Sequence, residues 1–128
     1  MGFPVKVRTR YTNNKKIDKL LRQLDDLYRF SHAGWSKTRK FRFHQFKVFL
    51  KFVAVRFEPS DIRNIKPSHV KSFVQWRREN KIRESTILSD LSTIRFWHRQ
   101  IPLRRYDIPP NSVLLGKGDL RDRSWKRR

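Results

Sequence analysis

Four runs of apolar residues, spaced three and four positions apart, govern what this chain can become. Ile17, Leu20, Leu21, Leu24, Leu27 and Tyr28 share one side of a helix, and the same spacing recurs in Phe43, Phe46, Phe49, Leu50, Phe52 and Val53. It returns in Val70, Phe73 and Val74, with Arg77 continuing the stripe, and again in Ile87, Leu88, Leu91, Ile94, Trp97 and Ile101. A one-sided period near 3.6 fits a helix that turns that side to a core. No stretch shows the alternation a half-buried strand needs. The expected fold class is all-α, a small four-helix bundle.

Caps and breakers fall between the runs. The first helix opens at Asn14, with Asn13 or Asn14 as N-cap, and stops near Ser31 before Gly34. Ser36 caps the second, which runs to about Val55 until Glu58-Pro59-Ser60-Asp61 breaks it. Phe41 falls off its core stripe, and Ile62 and Ile65 read as loop residues plugging the bundle. Pro67 starts a short third helix, for which Lys66 is a poor cap, and Asn80 and Lys81 end it. The fourth begins at Ser85 or Thr86 and stops at Pro102. Pro109-Pro110-Asn111 and Gly116-Lys117-Gly118 mark a linker-like tail. The expected organisation is a basic arm over 1–13, a helical domain over 14–103 and a basic linker over 104–128.

A length of 128 residues suits one domain, and an apolar share of 37%, with ten Phe and four Trp, supports one modest core. The absence of Cys excludes a disulfide scaffold and a thiolate metal site. No apolar run is long enough to span a membrane, and the first residues lack a signal-peptide core. The expected setting is a soluble protein in a reducing compartment.

Thirty-two Lys and Arg against eleven acids leave a charge of +21. So large a charge repels itself in a compact state unless a polyanion is present, and nucleic acid is the leading candidate. No helix pairs a continuous basic face with the apolar face that an anionic membrane surface requires. Residues 1–16 and 36–57 contain no acid, and the tail from Leu103 carries eight basic residues against Asp107, Asp119 and Asp122. Three separate blocks imply an extended electrostatic footprint.

Two helical faces carry the candidate chemistry. On the second helix, Lys40, His44, Lys47 and Lys51 stack opposite the Phe stripe, with Lys37 close by. Like charges at such spacings cost an isolated helix roughly 0.2–0.5 kcal/mol per pair. Their persistence without interleaved Glu points to an external anion, the competing reading being a merely solvated lysine face. On the fourth helix Ser85, Ser89, Ser92 and Arg99 align, with Phe96 among them and Arg95 at the edge. Small hydroxyls allow close approach to a phosphate backbone, and the helix N-terminus favours the same anion. His32, His44, His69 and His98 show no metal-ligand spacing, no glycine-rich phosphate loop exists, and no nucleophile–base pattern emerges. No catalytic residue, metal or cofactor is expected. His98 reads as a satisfied structural histidine on the core side.

The stretch Ser85-Thr-Ile-Leu-Ser-Asp-Leu-Ser-Thr-Ile-Arg-Phe-Trp-His-Arg-Gln-Ile101 resembles the last helix of the N-terminal core-binding, or SAM-like, domain of tyrosine recombinases and phage integrases. Ser36-Lys-Thr-Arg-Lys-Phe-Arg-Phe43 followed by Phe49-Leu-Lys-Phe-Val53 is similar to the family's second helix. Ile65-Lys-Pro-Ser-His-Val70 resembles its third-helix start. Gly116 to Trp125 resembles the segment leading toward the catalytic domain in integrases of mobile elements. The likeness covers roughly 14–125.

The resemblance implies a four-helix bundle that clamps one side of duplex DNA with its second and fourth helices, while a C-terminal catalytic domain clamps the other. It implies DNA contacts from Lys37, Thr38, Arg39 and Arg42, and phosphate contacts from Arg83, Ser85, Thr86 and Ser89. To these the charge pattern adds Lys40, His44, Lys47, Lys51 and Arg95. The partners implied are double-stranded DNA, the catalytic domain and other recombinase protomers; no membrane and no small-molecule substrate is expected. The family's Tyr nucleophile and Arg/Lys/His set belong to the following domain, so none is assigned here, and Tyr11, Tyr28 and Tyr106 lie outside any such context. Lys66 departs from the hydroxyl cap usual before Pro67. Two rival readings stand beside this one: a stand-alone accessory protein using Phe41, Phe96 and the basic tail as a protein interface, and an RNA-binding basic bundle. Source DNA beyond Arg128 separates the first; competition between structured RNA and duplex DNA separates the second.

Overall fold

The computed structural model describes residues 15–29, 37–116 and 122–127, apart from the side chains of Lys16, Tyr28, Arg29, Thr38, Arg39, Asp122 and Arg123. Four main helices form: α1 (Lys15–Arg29), α2 (Lys37–Phe57), α3 (Pro67–Glu79) and α4 (Glu84–Gln100). Two short ones follow, α5 (Asn111–Leu115) and α6 (Asp122–Trp125). The all-α class is as the apolar spacing predicts. The arm over 1–13, the caps at Asn13, Asn14 and Ser36, the stop near Ser31 and the side chain of Tyr28 lie outside the described residues.

The centre of the bundle is α2, in contact with α1, α3 and α4. Phe43, Phe46, Phe49, Leu50 and Val53 are fully buried on it, joined by Ala54. Phe43 meets Trp97 of α4 edge-on at 5.7 Å, and Phe49 meets Phe73 of α3 at 5.2 Å. Burying each such ring stabilises the fold by about 1.5–3 kcal/mol. Phe52 is only half-buried, covered by Phe73 and Trp76. Ile62 and Ile65 plug the base of the bundle as expected.

Turn chemistry explains the breaks. Asp61 caps a single 3-10 turn (Ile62–Asn64), accepting from the Arg63 backbone N–H at 2.7 Å and from its guanidinium at 2.8 Å. That pairing holds the Asp61 carboxyl below its ordinary range. Gln23 of α1 accepts from the Ile62 N–H at 2.8 Å, tying the turn to the first helix. The start of α3, poorly capped on sequence grounds, is held from inside the helix: His69 Nδ1 accepts from the Lys66 N–H at 3.1 Å, while its ring stacks on Phe57 at 4.4 Å. This is the return half of a capping box, supplied by an imidazole. After α2, α3 and α4 the chain turns through Glu58, Lys81 and Leu103, each left-handed with φ of 47°, 58° and 56°. Such positions ordinarily favour glycine.

Three expectations need correction. Helix α4 starts at Glu84, one residue before Ser85. Leu88, assigned to its core side, is 42% exposed, because the core arc is filled instead by Asp90 and Thr93, 5% and 2% exposed. The segment marked as a linker packs against the bundle as far as Gly116. Leu114 is 1% exposed, Lys71 donates to the carbonyls of Val113 and Gly116, and Arg78 donates to that of Leu115. Farther on, the Asp107 N–H donates to the Trp125 carbonyl at 2.8 Å in an isolated antiparallel bridge. Residues 109–116 form a packed turn rather than a spacer, while Lys117 and Gly118 lie outside the described residues.

Candidate nucleic-acid interface

Helices α2 and α4 meet along a polar seam. Gln45 Nε2 donates to Ser89 Oγ and to Asp90 Oδ1, both at 3.2 Å, and Gln45 Oε1 accepts from Thr93 Oγ1 at 2.6 Å. Arg77 of α3 donates through Nε to Asp90 Oδ2 at 3.0 Å and lies over the Phe73 and Trp76 rings. Burial raises the Asp90 pKa, and Arg77 and Gln45 oppose that rise. A buried network satisfied on each side fixes the relative register of three helices. The periodicity reading passed over Gln45, Asp90 and Thr93, although a helix whose core arc contains Asp and Thr signals an internal polar partner.

One side of this seam reaches solvent. Arg42 of α2 lies over the Phe96 ring of α4 at 5.5 Å, and Ser89 is exposed where Gln45 meets it. The outer faces of the two helices are therefore contiguous there. Lys37, Ser85, Ser92, Arg83 and Arg99 are exposed, Thr86 is half-buried, and the side chains of Thr38 and Arg39 lie outside the described residues. Phe96 is partly covered by Arg42 and by its edge contact with Trp97 at 5.2 Å.

Not all the candidates converge. At about 100° per residue, Lys40, His44, Lys47 and Lys51 fall in an arc of roughly 60°, about 160° around α2 from the Arg42 and Gln45 edge. The exposed Phe41 and Val55, 60% and 67% accessible, lie between the two. The lysine stripe thus borders α1 rather than α4. Burial, then Lys51, lowers the Lys47 pKa, and Asp25 of α1 opposes the change. Burial and the charges of Lys47 and Lys51 lower that of His44. Compensation assigned on sequence grounds wholly to an external anion is in part internal. Arg95 is committed elsewhere: it donates to the carbonyls of Ile108 and Pro109 and to Asn111 Oδ1, the last two at 2.6 Å. Burial and Arg99 lower its pKa. Its visible task is to hold the chain after α4.

The acids of the two helices are engaged. Their only carboxylates are Glu84 and Asp90; Glu84 accepts from Arg78 at 2.7 Å, and Asp90 is buried against Arg77. What faces outward is mostly cationic, hydroxylic or apolar, the one exposed carboxylate, Glu84, being paired with Arg78. No helix among the described residues is long and apolar enough to cross a membrane. Comparison with the curated proteins and with the solved structures returned no match. The model of the phage integrase N-terminal SAM-like domain, by contrast, matches residues 36–101, from the start of α2 to the end of α4. That span is just over half of the chain and contains the Phe core, the Gln45–Asp90–Arg77 network and the α2/α4 seam; the chain belongs to the phage integrase N-terminal SAM-like domain family.

Proposed function

We propose that this chain is the DNA-binding, core-binding part of a site-specific tyrosine recombinase of a mobile element, gripping duplex DNA without itself catalysing strand exchange. The observation that carries the reading is the outer side of α2 and α4: it is continuous at Arg42 and Ser89, and both carboxylates of the two helices are engaged with arginines. Arg42 and Arg83 supply charge to phosphates, Lys37 adds to it from the edge of the lysine stripe, and Ser85, Ser89 and Ser92 let the backbone approach. Thr38 and Arg39 join this group by family likeness. The Lys40, His44, Lys47 and Lys51 stripe adds attraction from the α1 flank. Arg95 is left out, its guanidinium being spent on the chain after α4.

Such binding is dominated by counterion release, so affinity for a duplex falls with salt at a log–log slope of about −0.9 per phosphate neutralised. Fluorescence anisotropy with a labelled duplex between low and physiological salt measures this slope. A slope near zero refutes the mechanism. Replacing Lys37 and Arg42 with Gln is expected to make the slope shallower by about 2.

The exposed Phe41 and Val55 favour a second reading, an accessory protein docking on a recombinase through the outer ridge of α2. Phe41→Ser would then abolish recombinase binding and leave duplex affinity intact; the DNA reading expects the two faces to be lost or kept together.

A further inference from the structure

We propose that the pocket between the last turns of α4 and the chain over 104–108 binds a phosphate group, with Arg99 and Arg104 supplying charge and the buried His98 ring donating through Nε2–H. The pocket measures ≈ 270 Å³ and is lined by Arg95, His98, Arg99, Arg104, Asp107 and Ile108. One water occupies about 30 Å³ in the liquid, so a phosphate fits with part of its hydration shell.

Each wall has a separate role. Arg95 is pinned by the Ile108 and Pro109 carbonyls and by Asn111, which fixes the pocket's shape. Asp107, the acid of the site, is held by Arg127 at 2.9 Å, with Arg104 more distant at 3.8 Å. Arg104 therefore keeps donors to spare, and Arg99 is exposed on the last turn. The cationic groups Arg95, Arg99, Arg104 and Arg127 face a single carboxylate. His98 is 2% exposed, and its Nε2 has no hydrogen-bond partner among the described residues. An unmade bond at a buried nitrogen is costly, and natural structures ordinarily fill it. A phosphate oxygen fills it with the ring neutral, the Nε2–H tautomer donating. Burial and the neighbouring Arg104 push the His98 pKa down to about 4, so cations repel a second proton until an anion enters.

The site does not depend on the DNA reading, because inorganic phosphate alone tests it. Titrating the chain with phosphate at constant ionic strength, balanced with chloride, and following the His98 ring by NMR is expected to give a saturable shift. The His98 pKa should rise by about one unit or more in the bound form. Arg99→Gln and Arg104→Gln are each expected to weaken phosphate about tenfold. No saturable shift, or the same shift in the double variant, overturns the proposal. Given binding, a short duplex distinguishes the source: displacement of phosphate from His98 assigns the pocket to a backbone phosphate, and simultaneous occupancy assigns it to a free phosphate-bearing ligand.

Discussion

Acid should destabilise this protein mainly through buried His98, with His44 adding in the same direction, before its carboxylates matter. Buried His98 is held down to about 4, first by desolvation and then by Arg104 and Arg127, with Asp107 opposing; its ordinary value is 6.5. Above 6.5 neither the folded nor the unfolded chain protonates the ring. As pH falls below that value the unfolded chain binds the proton first, so folding stability declines, and the loss is complete below about 4. A gap of about 2.5 pH units at about 1.36 kcal/mol each makes the full loss about 3 kcal/mol. Two other groups act differently. Asp90, raised by burial, takes its proton earlier in the folded state and so gives stability back on acidification. Asp61, held low by Arg63, withdraws its contribution only below the ordinary carboxylate range. The measurement is urea unfolding from pH 7 to 4 in phosphate-free buffer, urea being uncharged and so leaving the protein's self-repulsion unscreened. Subtracting the curve of His98→Leu isolates the ring. Parallel curves for the two proteins between pH 6.5 and 4 would show that His98 protonates freely in the fold, and the burial argument would be wrong.

Replacing Lys40, Lys47 and Lys51 with Gln is expected to weaken duplex binding, with melting temperature equal or higher because Lys47 and Lys51 repel each other; unchanged affinity in anisotropy assigns the stripe to solvation. Asp90→Ala strands Arg77 and removes one acceptor of the Gln45 amide, and should cost about 3–5 kcal/mol in denaturant unfolding, whereas a cost near zero would deny the network its structural role. Leu114→Ala should cost about 2–5 kcal/mol by the same assay if residues 104–116 are part of the bundle, and little if they are a linker.

The helices and their core were legible because burial leaves a periodic trace: Leu20, Leu24, Phe46, Val53, Val70, Ile94 and Trp97 all face inward as spaced. Leu88 was misplaced because period alone ranks an apolar residue above a polar one at the rim, and only the partner Gln45 on another helix explains why Asp90 and Thr93 go in instead. The cap of α3 was missed because Lys66 offers no acceptor; the acceptor comes from His69, whose ring also needs Phe57 beneath it. The packed tail was hidden by its prolines. What anchors it is long-range, Arg95 and Lys71 donating to carbonyls that carry no side-chain signature. The family likeness picked out α2 and α4, yet which flank of α2 meets α4 depended on tertiary contacts.

Apolar residues occur nearly all round α2, with Phe41 and Val55 outside as well as the Phe core inside, so its sequence names no single outer face. The helix divides instead by its neighbours. Toward α4 it shows Arg42, lying over Phe96, and Gln45, met by Ser89; toward α1 it shows the lysine stripe, met by Asp25. Charge on the α1 flank is softened from within, while on the α4 flank each acid already holds an arginine of α3. Those α3 arginines do two things at once: they stitch the bundle together, and they offset the negative charge of Asp90 and Glu84 that would repel a polyanion from the α2/α4 side. An equal number of surface cations placed at random would give the same net charge without that one-sidedness, which is why pairing, more than the total of +21, directs the proposed grip to α2 and α4.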